Sequence, residues 1–308
     1  MRHSFALAAL VVAAMSTSAC DIGKFTVNTT SKVLIRAQPS LKQEADWQMA
    51  HDAIPGALKT VEGFWIVDPK NPRLIKILTE GYCQYGTGFV EDDWEIAVFE
   101  NKNKDVEYHN ERSTHIFSRC LNFALSQLGE GWQKGIFGSQ DEVAELLRKT
   151  DPNNRFYLLF AGMALGSVIN HNLSRIEMIS MLGTVKAIMN RIVEWDATNP
   201  PEDKMHAALP HIALGMVHSA SPAAMGGKPD EATKHFMKAL EITDNKMLLA
   251  RTLYGYRVGK QTNDQKLFHE QLKIVVETTP SIWPEQRLAN EVAHRKARRY
   301  LSHEKDIF

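Results

Sequence analysis

Beyond about residue 40 the chain repeats one pattern. Apolar residues recur at steps of three and four, with polar residues filling the opposite side. Trp47, Ala50, Ile54, Leu58, Val61 and Trp65 form one such face, which predicts a long amphipathic helix. Pro55 lies inside it and should kink or split it. "DPKNP", Asp68 to Pro72, predicts a stop, with Pro72 suited to the first turn of the next helix. That second helix carries Leu74, Ile75, Leu78, Tyr82, Tyr85 and Phe89, and "NKNKD" from Asn101 to Asp105 reads as a loop. A third carries His115, Ile116, Arg119, Cys120, Phe123 and Leu128. After glycines 129, 131, 135 and 138, Ser139 with Glu142 predicts a capping box and a helix to about Lys149. "NRFYLLFAGMALGSVIN" is apolar nearly all round, which predicts a central buried helix. Ser174 with Glu177 predicts a second capping box, opening a helix to Trp195. Helices over about 203–219, 229–243, 246–260 and 264–278 follow, and a last one from Pro284 to about Ser302. No segment alternates convincingly with period two, so the expected class is all-α.

The helices also resemble one another. Ala232, Phe236 and Ala239 fit the small–large–small spacing Ala-x3-Phe-x2-Ala of the second helix of a tetratricopeptide repeat. Small residues there let two helices approach, and the Phe fills the groove between them. The same spacing returns at Ala57, Val61, Phe64 and Pro69; at Val185, Met189, Ile192 and Ala197; and at Phe268, Leu272, Val275 and Pro280. Two copies end alike, in "IVDPKNP" and "EWDATNP". The prediction is a set of tetratricopeptide-like helical hairpins stacked into a compact α-solenoid, which presents a concave surface or a central channel.

The amino terminus breaks the pattern. Met1-Arg2-His3 is a short basic start, and Phe5 to Met15 is apolar but too short to span a bilayer. Residues 1–19 therefore read as an export signal. "STSAC" resembles a bacterial lipobox, with Thr17 where Leu is usual. The resemblance implies cleavage before Cys20 and lipid on its thiol; the alternative is plain secretion with Cys20 free. Asp21 follows, which in enteric bacteria resembles an inner-membrane retention signal. Residues 20–40, with polar "TVNTTS" leaning toward β, read as the lipid-anchored tether, and 41–308 as one helical-repeat domain.

Composition narrows the function classes. The 308 residues hold 36 Lys and Arg against 36 Asp and Glu, a balance that argues against nucleic acid as a partner. Past the signal there is no apolar run of about 18 residues, so no spanning helix is expected. Export permits a disulfide between Cys83 and Cys120, but two buried free thiols are the expectation favoured here.

Signatures of catalysis are missing from the sequence: no phosphate-binding loop, no nucleophile elbow, and "HEQLK" at His269 lacks the second His of a zinc protease. No enzyme activity, cofactor or metal is expected. His211 and His218 are seven apart and share a helix face, while His206 lies on another; surface or core histidines are the ordinary reading. Glu91, Asp92, Asp93 and Glu95 point several ways round a helix and read as a solvated turn. Tyr82, Tyr85 and Phe89 form an aromatic stripe, most simply core packing; the functional alternative is a channel wall. Asn170, with His171, ends an apolar helix as a cavity mark or a C-cap. Asn290 lies among apolar residues, and a hydrogen-bonded tie to a neighbouring helix is favoured over ligand contact.

The order of three segments resembles the T component (TatT) of periplasmic TRAP transporters. They are "AIPGALKTVEGFWIVDPKNPRLIKILTEGYCQYGTGF", "GGKPDEATKHFMKALEI" and "WPEQRLANEVAHRKARRYLSHEKDIF", the last with Arg287, Leu288, Ala289, Asn290, Arg295 and Ala297. The resemblance implies a periplasmic lipoprotein without enzymatic activity that works beside a TRAP solute-binding protein. It also implies a compact helical solenoid with a channel for an apolar ligand, able to form trimers. The alternative is a repeat lipoprotein that scaffolds outer-membrane or cell-envelope assembly.

Overall fold

The computed structural model describes residues 22–221 and 225–308. The expected export signal, Cys20 and Asp21 lie outside them. Among the described residues every regular element is helical, and no helix is long and apolar enough to cross a membrane. The all-α class is as the periodicity predicts.

The chain enters through α1 (Ile22–Lys42), where a β-leaning tether was expected. Val27 and Ser31 are buried in it, and it packs against α2 (Trp47–Val67), α3 (Pro72–Tyr85) and α15 (Arg287–Ser302). Packing of an apolar side has overridden the strand preference of its Thr and Val residues.

Asp46 caps α2, accepting from the backbone N–H groups of Gln48 at 2.9 Å and Met49 at 3.1 Å. Pro55 does not split this helix, which runs unbroken past it. Asn71 caps α3, with Pro72 at its first position, so the "DPKNP" stop behaves as its residues require. The second copy of that ending also stops a helix, but the next one is capped by Asp203.

After α3 a π-helical turn (Gly86–Val90) leads into α4 (Glu91–Phe99). Then come α5 (Asn103–Leu128), α6 (Glu130–Gly135), α7 (Gln140–Lys149) and α8 (Arg155–Asn170). The Ser139–Glu142 capping box is formed. Nine of the residues of α8 are buried, on all its sides, so it is the central helix. The second capping box is not formed: the helix begins as α9 (Ile176–Ser180) after an uncapped Arg175, and Glu177 pairs instead with the Arg175 side chain at 2.9 Å. It resumes as α10 (Leu182–Asp196).

The remainder is α11 (Lys204–His218), α12 (Pro229–Ile242), α13 (Leu248–Thr262), α14 (Gln265–Glu277), α15 and a final turn, α16 (Glu304–Ile307). Each helix from α10 to α15 packs on the next, while α11 also touches α13 and α13 touches α15. First helices of successive hairpins thus stack, which is how a solenoid grows.

The repeat spacing reports the packing in three of its four copies. Ala232, Phe236 and Ala239 are fully buried, as are Phe268, Leu272 and Val275, and Val185, Met189 and Ile192 are buried too. Phe236 fills the groove so closely that a Cβ on Gly215 of the facing helix would come within 2.8 Å of its ring. In the first copy Ala57 is exposed and Phe64 half-buried, because α2 packs through Leu58 and Val61 instead.

Cys83 on α3 and Cys120 on α5 form a disulfide, with their Cα atoms 5.4 Å apart. This corrects the expectation of free thiols. Both lie on the contact face of two helices that pack together, a geometry that suits the bond.

A second correction concerns the acidic run. Asp92 is almost fully buried, and Glu95 nearly so. Asp92 accepts from Arg295 at 2.5 Å and from Arg299; Glu95 accepts from Lys296 at 2.8 Å, Arg299 at 2.7 Å and the Tyr300 hydroxyl at 2.7 Å. Glu91 and Asp93 face elsewhere, toward His171 and Arg112. The four acids do point several ways, but each meets a partner side chain, and only Asp92 is removed from water almost completely. Asp92 and Glu95 join the last long helix to α4, some 200 residues earlier, and so bend the solenoid back upon itself.

Candidate ligand pocket

Where the two ends of the solenoid meet, they enclose an apolar pocket of about 430 Å³. Its wall draws on distant parts of the chain: Leu34 and Leu41 of α1, Leu58 and Val61 of α2, Phe160 of α8, Leu209 of α11, and Leu288 and Val292 of α15. The size and apolar lining fit a small hydrophobic ligand.

One end of the pocket is polar. Glu80, on α3, is almost fully buried. Its Oε1 accepts from Lys42 Nζ at 2.9 Å and from Gln84 Nε2 at 2.9 Å, and His206 Nε2 stands 3.5 Å away. Burial alone would push the Glu80 carboxyl up, but His206 and Lys42 outweigh it and hold the group at about 2. A charged pair therefore sits in an otherwise greasy wall. Its cation comes from α1 and its anion from α3.

The aromatic stripe divides. Tyr85 and Phe89 line the pocket, their rings stacked at 5.7 Å. The Tyr85 hydroxyl accepts from Arg112 Nη2 at 2.7 Å, and burial raises its pKa. Trp47 packs on Phe89 at 5.3 Å, and its indole N–H reaches the Gly88 carbonyl in the π-helical turn at 3.4 Å. Phe89, four residues after Tyr85 and on the same side, sits in that turn. The turn's extra residue breaks the 3.6 period, and Gly86 is needed there because a Cβ would come within 2.6 Å of the Phe117 ring.

Tyr82 faces the other way. Its hydroxyl donates to Glu62 at 2.7 Å, and its ring stacks on Phe123 at 6.1 Å. Burial and the neighbouring Glu62 both raise its pKa. It holds α3 to α2 and α5.

Neither asparagine lines the pocket. Asn290 is fully buried: its Oδ1 accepts from the Leu248 backbone at 3.0 Å, while its Nδ2 donates to the carbonyls of Lys246 at 3.0 Å and Pro280 at 3.2 Å. It is the tie between helices that the sequence favours, and it orders the start of α13. Asn170 is half-buried at the end of α8. His171 caps that helix and bridges Asn110 at 3.0 Å and Glu91 at 3.3 Å.

The three histidines separate as well. His206 faces the pocket's polar end, whereas His211 meets His235 at 3.0 Å and His218 stacks on His235 at 5.7 Å. Burial lowers the pKa of all three members of that second group, His211 to about 4.

Sequence reasoning missed the polar end altogether. The signal was Glu80 itself, a lone acid on a helix whose neighbours Ile77, Leu78 and Tyr82 are core residues. Its partner Lys42 lies just past the segment read as tether and before the first helix expected from the periodicity.

Comparison with known proteins agrees with the segments quoted above. No match is found among curated proteins. The family model for the TRAP transporter T-component matches residues 43–308, which include every pocket-lining residue except those of α1. The chain therefore belongs to the TRAP transporter T-component family.

Proposed function

We propose that this protein is a non-enzymatic, lipid-anchored periplasmic partner of a TRAP solute-binding protein, and that its pocket holds an apolar ligand with one polar end. The observation that carries this is the pocket at the seam of the closed solenoid, in a chain of this family. Its apolar wall provides most of the contact surface, so burial of the ligand's hydrocarbon would drive binding at about 25 cal/mol per Å². The Glu80–Lys42–Gln84 group offers both donors and acceptors to a single polar terminus. Lipid on Cys20 would keep the protein at the envelope membrane, with Asp21 favouring the inner one under the enteric rule. Assembly as a homotrimer belongs to the same reading.

Two measurements on protein purified from its native membrane test the proposal. Native mass spectrometry should show a co-purifying apolar molecule that is absent when the pocket is filled by substitution. Crosslinking should capture a solute-binding protein. An empty pocket together with the absence of any such partner would refute this reading.

A further inference from the structure

The outward side of α1 is not used by the pocket. Ile22, Phe25, Thr29, Lys32, Val33 and Arg36 follow one another at steps of one, three and four. On a 3.6 period they share the face opposite Val27, Ser31 and Leu34, which point into the protein. Ile22 is 78 % exposed, Phe25 70 % and Val33 61 %. The helix carries Lys24, Lys32, Arg36 and Lys42 and no acidic residue, in a chain that is neutral overall. Beside it Arg73 donates to Asn28 at 3.0 Å and adds a further positive charge to that side.

We propose that α1 is an interfacial helix, which lays its Ile22–Arg36 face on a bilayer rich in anionic headgroups. The chemistry points to lipid in two independent ways. Large apolar side chains held in water along a run of about 20 Å gain by entering the boundary between headgroups and acyl chains. Lys32 and Arg36 flank them, and long basic side chains keep their charged ends among phosphates while their stems cover apolar surface. An apolar groove on another protein would take up Phe25 and Val33 but would not call for a strip without acids.

The consequence is geometric. One side of α1 meets the membrane while the other supplies Leu34, Leu41 and Lys42 to the pocket. The pocket is then separated from the bilayer by a single helix, one that lies outside the matched family region. The inference rests on the face of α1 and not on lipid at Cys20 or on the pocket's occupant.

The test uses the chain from residue 20 onward carrying Cys20→Ser, so that no acyl chain is attached. It should sediment with phosphatidylglycerol-rich vesicles, release with added salt, and stay in solution with phosphatidylcholine vesicles. Neutralising Lys32→Gln and Arg36→Gln together should lower the partition coefficient roughly 25-fold, about fivefold for each basic residue. Phe25→Ser should lower it further. All three positions are exposed, so thermal melts should match the parent chain. The proposal is overturned if the unacylated chain ignores phosphatidylglycerol vesicles, or if the variants bind them as the parent does. Protection of α1 from hydrogen exchange by a solute-binding protein, with none from vesicles, would also overturn it. None of these failures touches the pocket, which native mass spectrometry reads separately.

Discussion

Arg299 Nη2 lies 2.7 Å from Glu95 Oε2, joining the last long helix to the helix that follows the π turn. Lys296 and the Tyr300 hydroxyl complete the shell of this carboxylate. Burial would raise the Glu95 carboxyl, but Lys296, Arg299 and the Tyr300 bond overcome it and hold it at about 2, against an ordinary 4.5. A lowered folded-state pKa stabilises above the unfolded value and loses that contribution as pH falls toward the folded one. Stability should therefore decline between about pH 4.5 and 2. Glu95→Gln leaves two buried cations short of a counter-charge and should cost about 3 kcal/mol at neutral pH. Urea unfolding of parent and variant at pH 7 and pH 3 measures both effects, and the gap between them should narrow at the lower pH.

The two halves of this ion cluster were both visible in the sequence, yet their pairing was not. An acidic helix start and a basic last helix are each ordinary solvated faces when read alone. Only the closure of the solenoid brings them together, and closure is a property of many small helix–helix angles that no local pattern encodes. Helix positions were legible because apolar periodicity is local: the buried Ala232, Phe236 and Ala239 could be read from spacing. Tyr85 and Phe89 were legible as candidates for the same reason. Tyr82, on the regular α-helical part of α3, instead packs on Glu62 and Phe123, and an apolar stripe alone does not separate a pocket wall from a helix contact. Glu80 escaped because its cation, Lys42, belongs to a helix whose sequence leans toward strand and which folds only by packing.

Cys83 and Cys120 are 37 residues apart, so their bond closes a loop that spans the π turn and α4. Constraining a loop of that length in the unfolded chain stabilises by about 3–4 kcal/mol in the chain-entropy model. The double variant Cys83→Ala with Cys120→Ala should fall by about that amount in chemical denaturation, reduced somewhat by relaxed packing. Intact-mass measurement before and after reduction and alkylation should show both thiols blocked in the native protein.

The Lys42–Glu80 pair makes α1 part of the folded core. Lys42→Met leaves Glu80 ionised at the pocket wall with only Gln84 and His206 beside it. The loss should be about 3 kcal/mol at neutral pH, since an unpaired buried charge is left behind. Without the lysine the Glu80 carboxyl titrates at a higher pH, so the defect should shrink on acidification as the group becomes neutral. Adding Glu80→Gln to Lys42→Met should recover much of the loss at pH 7. A double-mutant cycle by thermal or urea unfolding reads the coupling directly, and a coupling near zero would mean that α1 is held by its apolar side alone.

Ala289, on α15, lines the pocket and is only half-buried, so a larger side chain there can grow into the open space. Ala289→Trp should fill much of the 430 Å³ and leave unfolding within about 1 kcal/mol of the parent. A neutral apolar probe, N-phenyl-1-naphthylamine, should bind the parent protein with rising fluorescence and bind the variant at least tenfold more weakly. The same substitution at Ala220, exposed just past the end of α11 and not among the pocket-lining residues, serves as the control and should leave probe binding unchanged. If Ala289→Trp binds the probe as the parent does, the probe site lies elsewhere and the pocket loses its claim as the ligand site. If binding weakens as expected, the seam of the closed solenoid is where an apolar molecule resides, and the ion cluster of α4 and α15 becomes part of what holds it there.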